Sequence, residues 1–205
     1  FYWNPHRPDT QFFFNDRDPA TNQVFTVLYD VERGARIREY RYDDVAPVGN
    51  GGVAQRGGAF LGLNYARMAR LRTVTGYVGA WDWTQGVEHP EDDGVHCVDV
   101  DSGDRHLIVS FAQLAAILRD ACGVKDVPAL FINHTLWNRD GDRIYFYARG
   151  GWGSQPGPKI NQPFTVAPDG SGLTPQRVFI GGHPEWAEGH TAIGSHDGRL
   201  VLYDT

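Results

Sequence analysis

Four times along the chain a short run closes on a large apolar anchor, a polar turn follows, and a second run begins. The best preserved case is Trp137-Asn138-Arg139-Asp140-Gly141-Asp142-Arg143 before Ile144-Tyr145-Phe146. Trp3-Asn4-Pro5-His6-Arg7-Pro8-Asp9-Thr10 before Gln11-Phe12-Phe13-Phe14 has the same shape. Val53 opens a degenerate copy ending in Ala59-Phe60-Leu61-Gly62, and Trp186 a shortened one ending in Thr191-Ala192-Ile193. Each reads as strand, tight turn, strand. A third strand with an exit turn then follows, as in Val24 to Tyr29 before Asp30-Val31-Glu32-Arg33-Gly34, Val95 to Val98, Phe164 to Val166 and Leu200 to Tyr203.

The anchors at 3, 53, 137 and 186 are 50, 84 and 49 residues apart. Two spacings match the roughly 40- to 50-residue period of propeller blades. The long one holds an insertion, Asn64 to Asp93, and one short helix from Ser110 to Arg119. Ser110 can cap that helix, Gln113 can close a capping box, and Gly123 can end it. The expected fold is all-β, a β-propeller with about four blades visible near 1–45, 46–111, 130–179 and 180–205. An exposed sheet edge is adhesive, so the chain is expected to form part of a ring of six to eight blades.

Composition narrows the function classes. Aromatic residues at 13% and 25 glycines suit strands and turns rather than a helical bundle. A net charge of −6, without a run of Lys and Arg, argues against a nucleic-acid surface, so an anionic ligand would need a local basic pocket. No apolar run approaches the roughly 18 residues of a membrane span. The sequence opens on Phe1 with no initiator Met or signal-peptide pattern within it, and the expected compartment stays open between cytoplasm and periplasm. Cys97 and Cys122 read as buried thiols, or as a disulfide if the fold brings them together.

In such a repeat, the residue three positions before each anchor faces the axis. These residues are Asn50, His134 and His183, with Asn133 beside His134. Two imidazoles and an amide can hold a metal or a substrate, or each can cap its blade by bonding backbone across the channel. Both insertions between second and third strands should open on the same face. The first carries Tyr65, Arg67, Arg70, Tyr77, Trp81 and Trp83; the second, Arg149 to Lys159, carries Arg149 and Trp152. Aromatic faces beside arginines suit a sugar ring and its carboxylate, although the same residues can simply pack down long loops. His190 falls in a turn on the opposite face; His6, His89, His96, His106 and His196 read as surface or strand residues, and Asp92-Asp93 and Asp99/Asp101 as turn formers. There is no Gly-x-Ser-x-Gly, phosphate loop, Cys-x-x-Cys or His-Glu-x-x-His.

The segment Trp137 to Phe146 resembles the blade motif of the TolB-like propellers, in which the inner strand ends in Ser-Pro-Asp-Gly. The polar residue ahead of it is similar to the pattern in oligogalacturonate lyases, seven-bladed propellers that cleave uronic-acid oligosaccharides by β-elimination. That resemblance implies an acidic oligosaccharide, or another small ligand, at the axis. It also implies a divalent metal (manganese or calcium), with His134 and His183 as its ligands. The lyase cluster is Gln-x-x-His-x-His; here Val178 and Gly181 stand at its first two places ahead of His183. Under this resemblance Arg67, Arg70 and Arg149 clamp the carboxylate, His134 or His183 is base or ligand, and Tyr65 or Tyr77 donates to the leaving oxygen. TolB-like propellers also imply the alternative of a non-catalytic platform for a protein or a glycan.

Overall fold

The computed structural model describes residues 1–42, 46–153 and 155–205. It is mostly β: four antiparallel sheets follow one another along the chain, with two short helices. The first sheet is β1 (Tyr2–Trp3), β2 (Gln11–Arg17), β3 (Val24–Asp30) and β4 (Ala35–Tyr40). The second is β5 (Gly49–Val53), β6 (Ala59–Leu63), β7 (Gly94–Asp99) and β8 (Arg105–Ser110), with α1 (Tyr65–Leu71) between β6 and β7 and α2 (Phe111–Asp120) after β8. The third is β9 (Leu130–Trp137), β10 (Ile144–Gly150), β11 (Ile160–Val166) and β12 (Thr174–Pro175). The fourth has three strands, β13 (Gly181–Trp186), β14 (Thr191–His196) and β15 (Arg199–Asp204). Within each sheet, strands adjacent in sequence are adjacent in space, as local hairpins dictate.

All four anchors end the first strand of their sheet. The turn after Trp137 is templated by Asn138, whose Oδ1 accepts the backbone N–H groups of Gly141, Asp142 and Arg143 at 3.0 Å each. Asp99 shapes its exit turn in the same way, accepting from Asp101 and Ser102. Between consecutive sheets lies an apolar seam. Phe13, Leu28, Tyr40, Phe60 and Val98 join the first two sheets. A larger cluster including Leu61, Val95, Leu114, Leu130, Phe146 and Phe164 joins the second to the third. Tyr145, Tyr147 and Trp186 join the third to the fourth. Every residue of β10 is buried, because both of its faces meet neighbouring sheets.

One contact repeats across these seams. The Trp137 indole N–H donates to Gly52 O at 3.2 Å, and the Trp186 indole N–H donates to Leu136 O at 3.0 Å. In each case the acceptor stands one residue before the preceding sheet's anchor, so β5, β9 and β13 are held side by side in register. Trp3 opens the series and is 47% exposed.

The helix after Ser110 has the expected capping box: Ser110 Oγ accepts from Gln113 N, and Gln113 Oε1 from Ser110 N. The expectation of a single helix is corrected by α1, within the Asn64–Asp93 insertion. The Asn64 side chain caps it through Arg67 N, and Ala66, Met68, Ala69 and Leu71 bury its inner side. Cys97 is buried and Cys122 half-buried; both are free thiols.

Candidate functional site on the inner strands

The strands β5, β9 and β13 each break register at the same place. The shifts fall between Asn50 and Gly52, at His134-Thr135 opposite Phe146, and between Gly181 and Glu185. A bulge inserts an unpaired residue and re-aims side chains. Here it turns His134 and His183 off the ladder, whereas Asn50 stays paired with Gly62 at the edge of its bulge. His134 adopts φ 53°, a left-handed conformation that costs a non-glycine residue on the order of 1 kcal/mol.

The bulges bring His134 and His183 together, with ring centroids 5.0 Å apart and planes at 62°. The edge-on Tyr147 ring lies 5.7 Å from His134. No ring nitrogen of either histidine has a hydrogen-bond partner among the described residues. Bonding between strands falls to their neighbours: Thr135 Oγ1 donates to Gly51 O at 2.7 Å, and the Tyr147 hydroxyl donates to Ile180 O. The capping alternative is therefore carried by Thr135 and the tryptophans, not by the histidines. Burial, then Arg149, His183 and Arg72, push the His134 pKa down to about 4. Its imidazole is neutral at neutral pH.

Beside these rings stands a cluster of cations. The Trp152 ring has Lys159 Nζ at 4.0 Å, the Arg72 guanidinium at 4.4 Å and that of Arg149 at 5.3 Å from its centroid. Trp152 is itself fixed by its indole N–H to Ile160 O at 2.9 Å. Arg149 also lies 4.8 Å from the Tyr147 ring and donates Nε–H to Asn161 Oδ1 at 2.7 Å. Among the described residues no carboxylate pairs with Arg72, Arg149 or Lys159. Burial and then Arg72 lower the Arg149 pKa. The two insertions meet here, since Gln155 Nε2 donates to Leu71 O at 3.0 Å; Ser154 lies outside the described residues. Trp152, expected to offer a bare face to a sugar, has its ring occupied by cations instead.

The other expected residues are distributed differently. Asn50, Tyr65 and Tyr77 line a cavity of about 330 Å³ with Tyr2, Phe14 and Asn15. Arg67 is fully buried. It donates to Leu130 O, Thr84 Oγ1, Val87 O and Glu88 O and stacks 4.5 Å from the Phe111 ring. It pins the insertion to β9, and its expected carboxylate clamp is corrected to that structural role. Arg70 is held by Asp82 at 2.7 Å and borders a separate cavity of about 470 Å³ with the exposed Trp81. Trp83 and Asn133 are largely buried, the indole nitrogen of one and the Oδ1 of the other without partners among the described residues. Tyr65 and Tyr77 spend their hydroxyl protons on Asn50 O and Asn15 O, and burial raises both pKa values. His190 bonds Asp142 at 3.1 Å in the anchor turns, and His96 is a buried residue of strand β7.

A divalent metal does not fit the two histidines. Among the described residues no three His, Cys, Asp or Glu side chains come together where an ion could sit, and guanidiniums add positive potential that repels a cation. Arg72 and Lys159 were not singled out by sequence. Their signal is the cluster of Trp and basic residues in both insertions, but pairing Arg72 with Trp152 requires the fold.

No protein-family model matches the chain, and no curated protein matches it. Among solved structures it is similar to TolB from Acinetobacter baumannii, with a TM-score of 0.52 and 10% identity over 95% of this chain and 38% of that one. The likeness supports a TolB-like β-propeller fold, and the chain spans less than two fifths of that TolB.

Proposed function

We propose that this chain forms part of a six- to eight-bladed propeller that binds an acidic saccharide at its axis, the carboxylate seated on Arg72 and Arg149. The observation that carries the reading is the group of Arg72, Arg149 and Lys159 on Trp152 with no carboxylate partner among the described residues, in a chain of net charge −6. Arg149 is buried and Arg72 half-buried beside the exposed Lys159, so their like charges repel one another, and a bound anion relieves that repulsion. A guanidinium offers a carboxylate two parallel hydrogen bonds. His134 and His183, with open ring nitrogens, would accept or donate to the hydroxyls of the same sugar.

A second reading, β-elimination at this site, is favoured by the neutral His134 imidazole beside two guanidiniums. His134 would take the proton α to the carboxylate, Arg72 and Arg149 would hold the enolate charge, and the electron pair would form the C=C bond as the leaving oxygen departs and is protonated from solvent. The binding reading is tested by titrating the protein with trigalacturonate and with neutral galactose by calorimetry. Saturable binding of the acid, weakened by salt, is expected; no acid binding contradicts it. Incubation with polygalacturonate, followed by ultraviolet absorbance of an unsaturated product, separates the two readings: binding without product leaves a non-catalytic platform.

A further inference from the structure

We infer that the cavity between the first and second sheets is a subsite for an uncharged sugar ring. The inference rests on the saccharide reading above and extends it to a neutral unit of the same chain. The cavity of about 330 Å³ lies at the small end of the roughly 300–1,000 Å³ typical of small-molecule sites. Its walls include Tyr2, Asn15, Asn50, Tyr65 and Tyr77, with Phe1, Phe13 and Phe14 beside them. The tyrosine rings are fixed, because their hydroxyls donate to Gly51 O, Asn50 O and Asn15 O. Tyr65 and Tyr77 stand edge to face, 5.7 Å apart. Such rings stack on the C–H face of a pyranose, and their phenol oxygens retain lone pairs for its hydroxyls.

Asn50 supplies the pointed polar contact. It is 3% exposed, its Oδ1 accepts Gly52 N at 2.7 Å, and its Nδ2 is buried without a partner among the described residues. A buried amide donor of this kind calls for an acceptor oxygen. Glu185 acts on Tyr2 and Asp16 on Tyr77, and Phe1 also borders the cavity. An ammonium would offer Asn50 Nδ2 no acceptor, and the tyrosine rings call for an apolar face. A neutral, hydroxyl-bearing ring with one apolar face satisfies both conditions. The cavity is linked by backbone to the strand that carries His134. Gly51 O accepts Tyr2 OH at 3.0 Å and Thr135 Oγ1 at 2.7 Å, and Thr135 follows His134.

The test uses D-galactose and trigalacturonate as separate probes, read by saturation-transfer NMR and calorimetry. A ring of about twelve heavy atoms should bind with a Kd on the order of 1 mM. Asn50→Asp, which keeps the Oδ1 acceptor and deletes the donor, and Tyr77→Ala, which removes a wall, should each weaken galactose about tenfold. Arg149→Met should leave galactose binding unchanged while weakening trigalacturonate. If Asn50→Asp does not fold, Tyr77→Ala decides. No saturable galactose binding up to about 50 mM, or parent-like binding by the folded variants, overturns the subsite. Galactose failing while trigalacturonate binds removes the subsite alone; the reverse removes the acidic site alone.

Discussion

Asn50 and His134 occupy the same place in neighbouring sheets, yet they are treated in opposite ways. Asn50 is woven into the backbone: its N–H bonds Asn15 Oδ1 and Thr26 Oγ1, its Oδ1 takes Gly52 N, and its C=O takes Asn15 Nδ2 and Tyr65 OH. His134 has a strained backbone and open ring nitrogens, and its position is set by packing on Tyr147 and His183. The surrounding charge divides in the same way, with guanidiniums near His134 and carboxylates acting on the tyrosines near Asn50. A repeat fixes where a side chain points; what that residue does is decided by what the insertions bring to it.

The frame common to both sides should matter most for stability. Trp137→Ala removes a buried indole and its bond to Gly52 O, and should cost about 3–5 kcal/mol in urea denaturation. A loss below about 1 kcal/mol would mean that the seam is not what holds the two walls together. Next comes Asn50→Ala, which strands the Gly52 N–H and should cost about 1–3 kcal/mol. His134→Gly should differ in sign: stability unchanged or raised by up to about 1 kcal/mol, because the left-handed strain disappears, together with weaker trigalacturonate binding. Equal destabilisation by the two substitutions would erase the distinction between a woven and an exposed wall.

A smaller effect is expected from pH. The His134 pKa is about 4 in the fold against an ordinary 6.5, so the unfolded chain binds more protons between these values. Its contribution is complete above about pH 6.5 and is lost as pH falls to about 4. His96, pushed down to about 3 by burial, acts in the same direction. Asp93 acts oppositely: fully buried and raised to about 7 from 3.8, it makes stability fall as pH rises across that window. His134→Asn, which tolerates the left-handed backbone, should be less sensitive to acidification than the parent between pH 6.5 and 4, and Asp93→Asn should lose the decline above pH 3.8. Urea midpoints across this range check both signs.

What the sequence made legible was local. The anchors, the Asn138 and Asp99 turns and the Ser110 capping box depend on residues a few positions apart, and the period of the anchors placed His134 and His183 in register. What it hid was tertiary. Seven residues of α1 form a helix because Ala66, Met68 and Leu71 find a core. Arg67 resembles a surface cation until four acceptors from β9 and the insertion surround it. Arg72 and Trp152 lie in insertions of different sheets, and nothing in either segment alone pairs them.

We propose that the cations on Trp152, which have no carboxylate partner among the described residues, hold an acid. Calorimetric titration of trigalacturonate into the parent and into the double variant Arg72→Met/Arg149→Met tests it most directly, with galactose as the neutral control. Saturable binding to the parent and an affinity about 10- to 100-fold weaker in the variant are expected, in line with the loss of charge-assisted hydrogen bonds, with galactose binding unaltered. Equal affinity of parent and variant for the acid, or no binding to the parent, would contradict it.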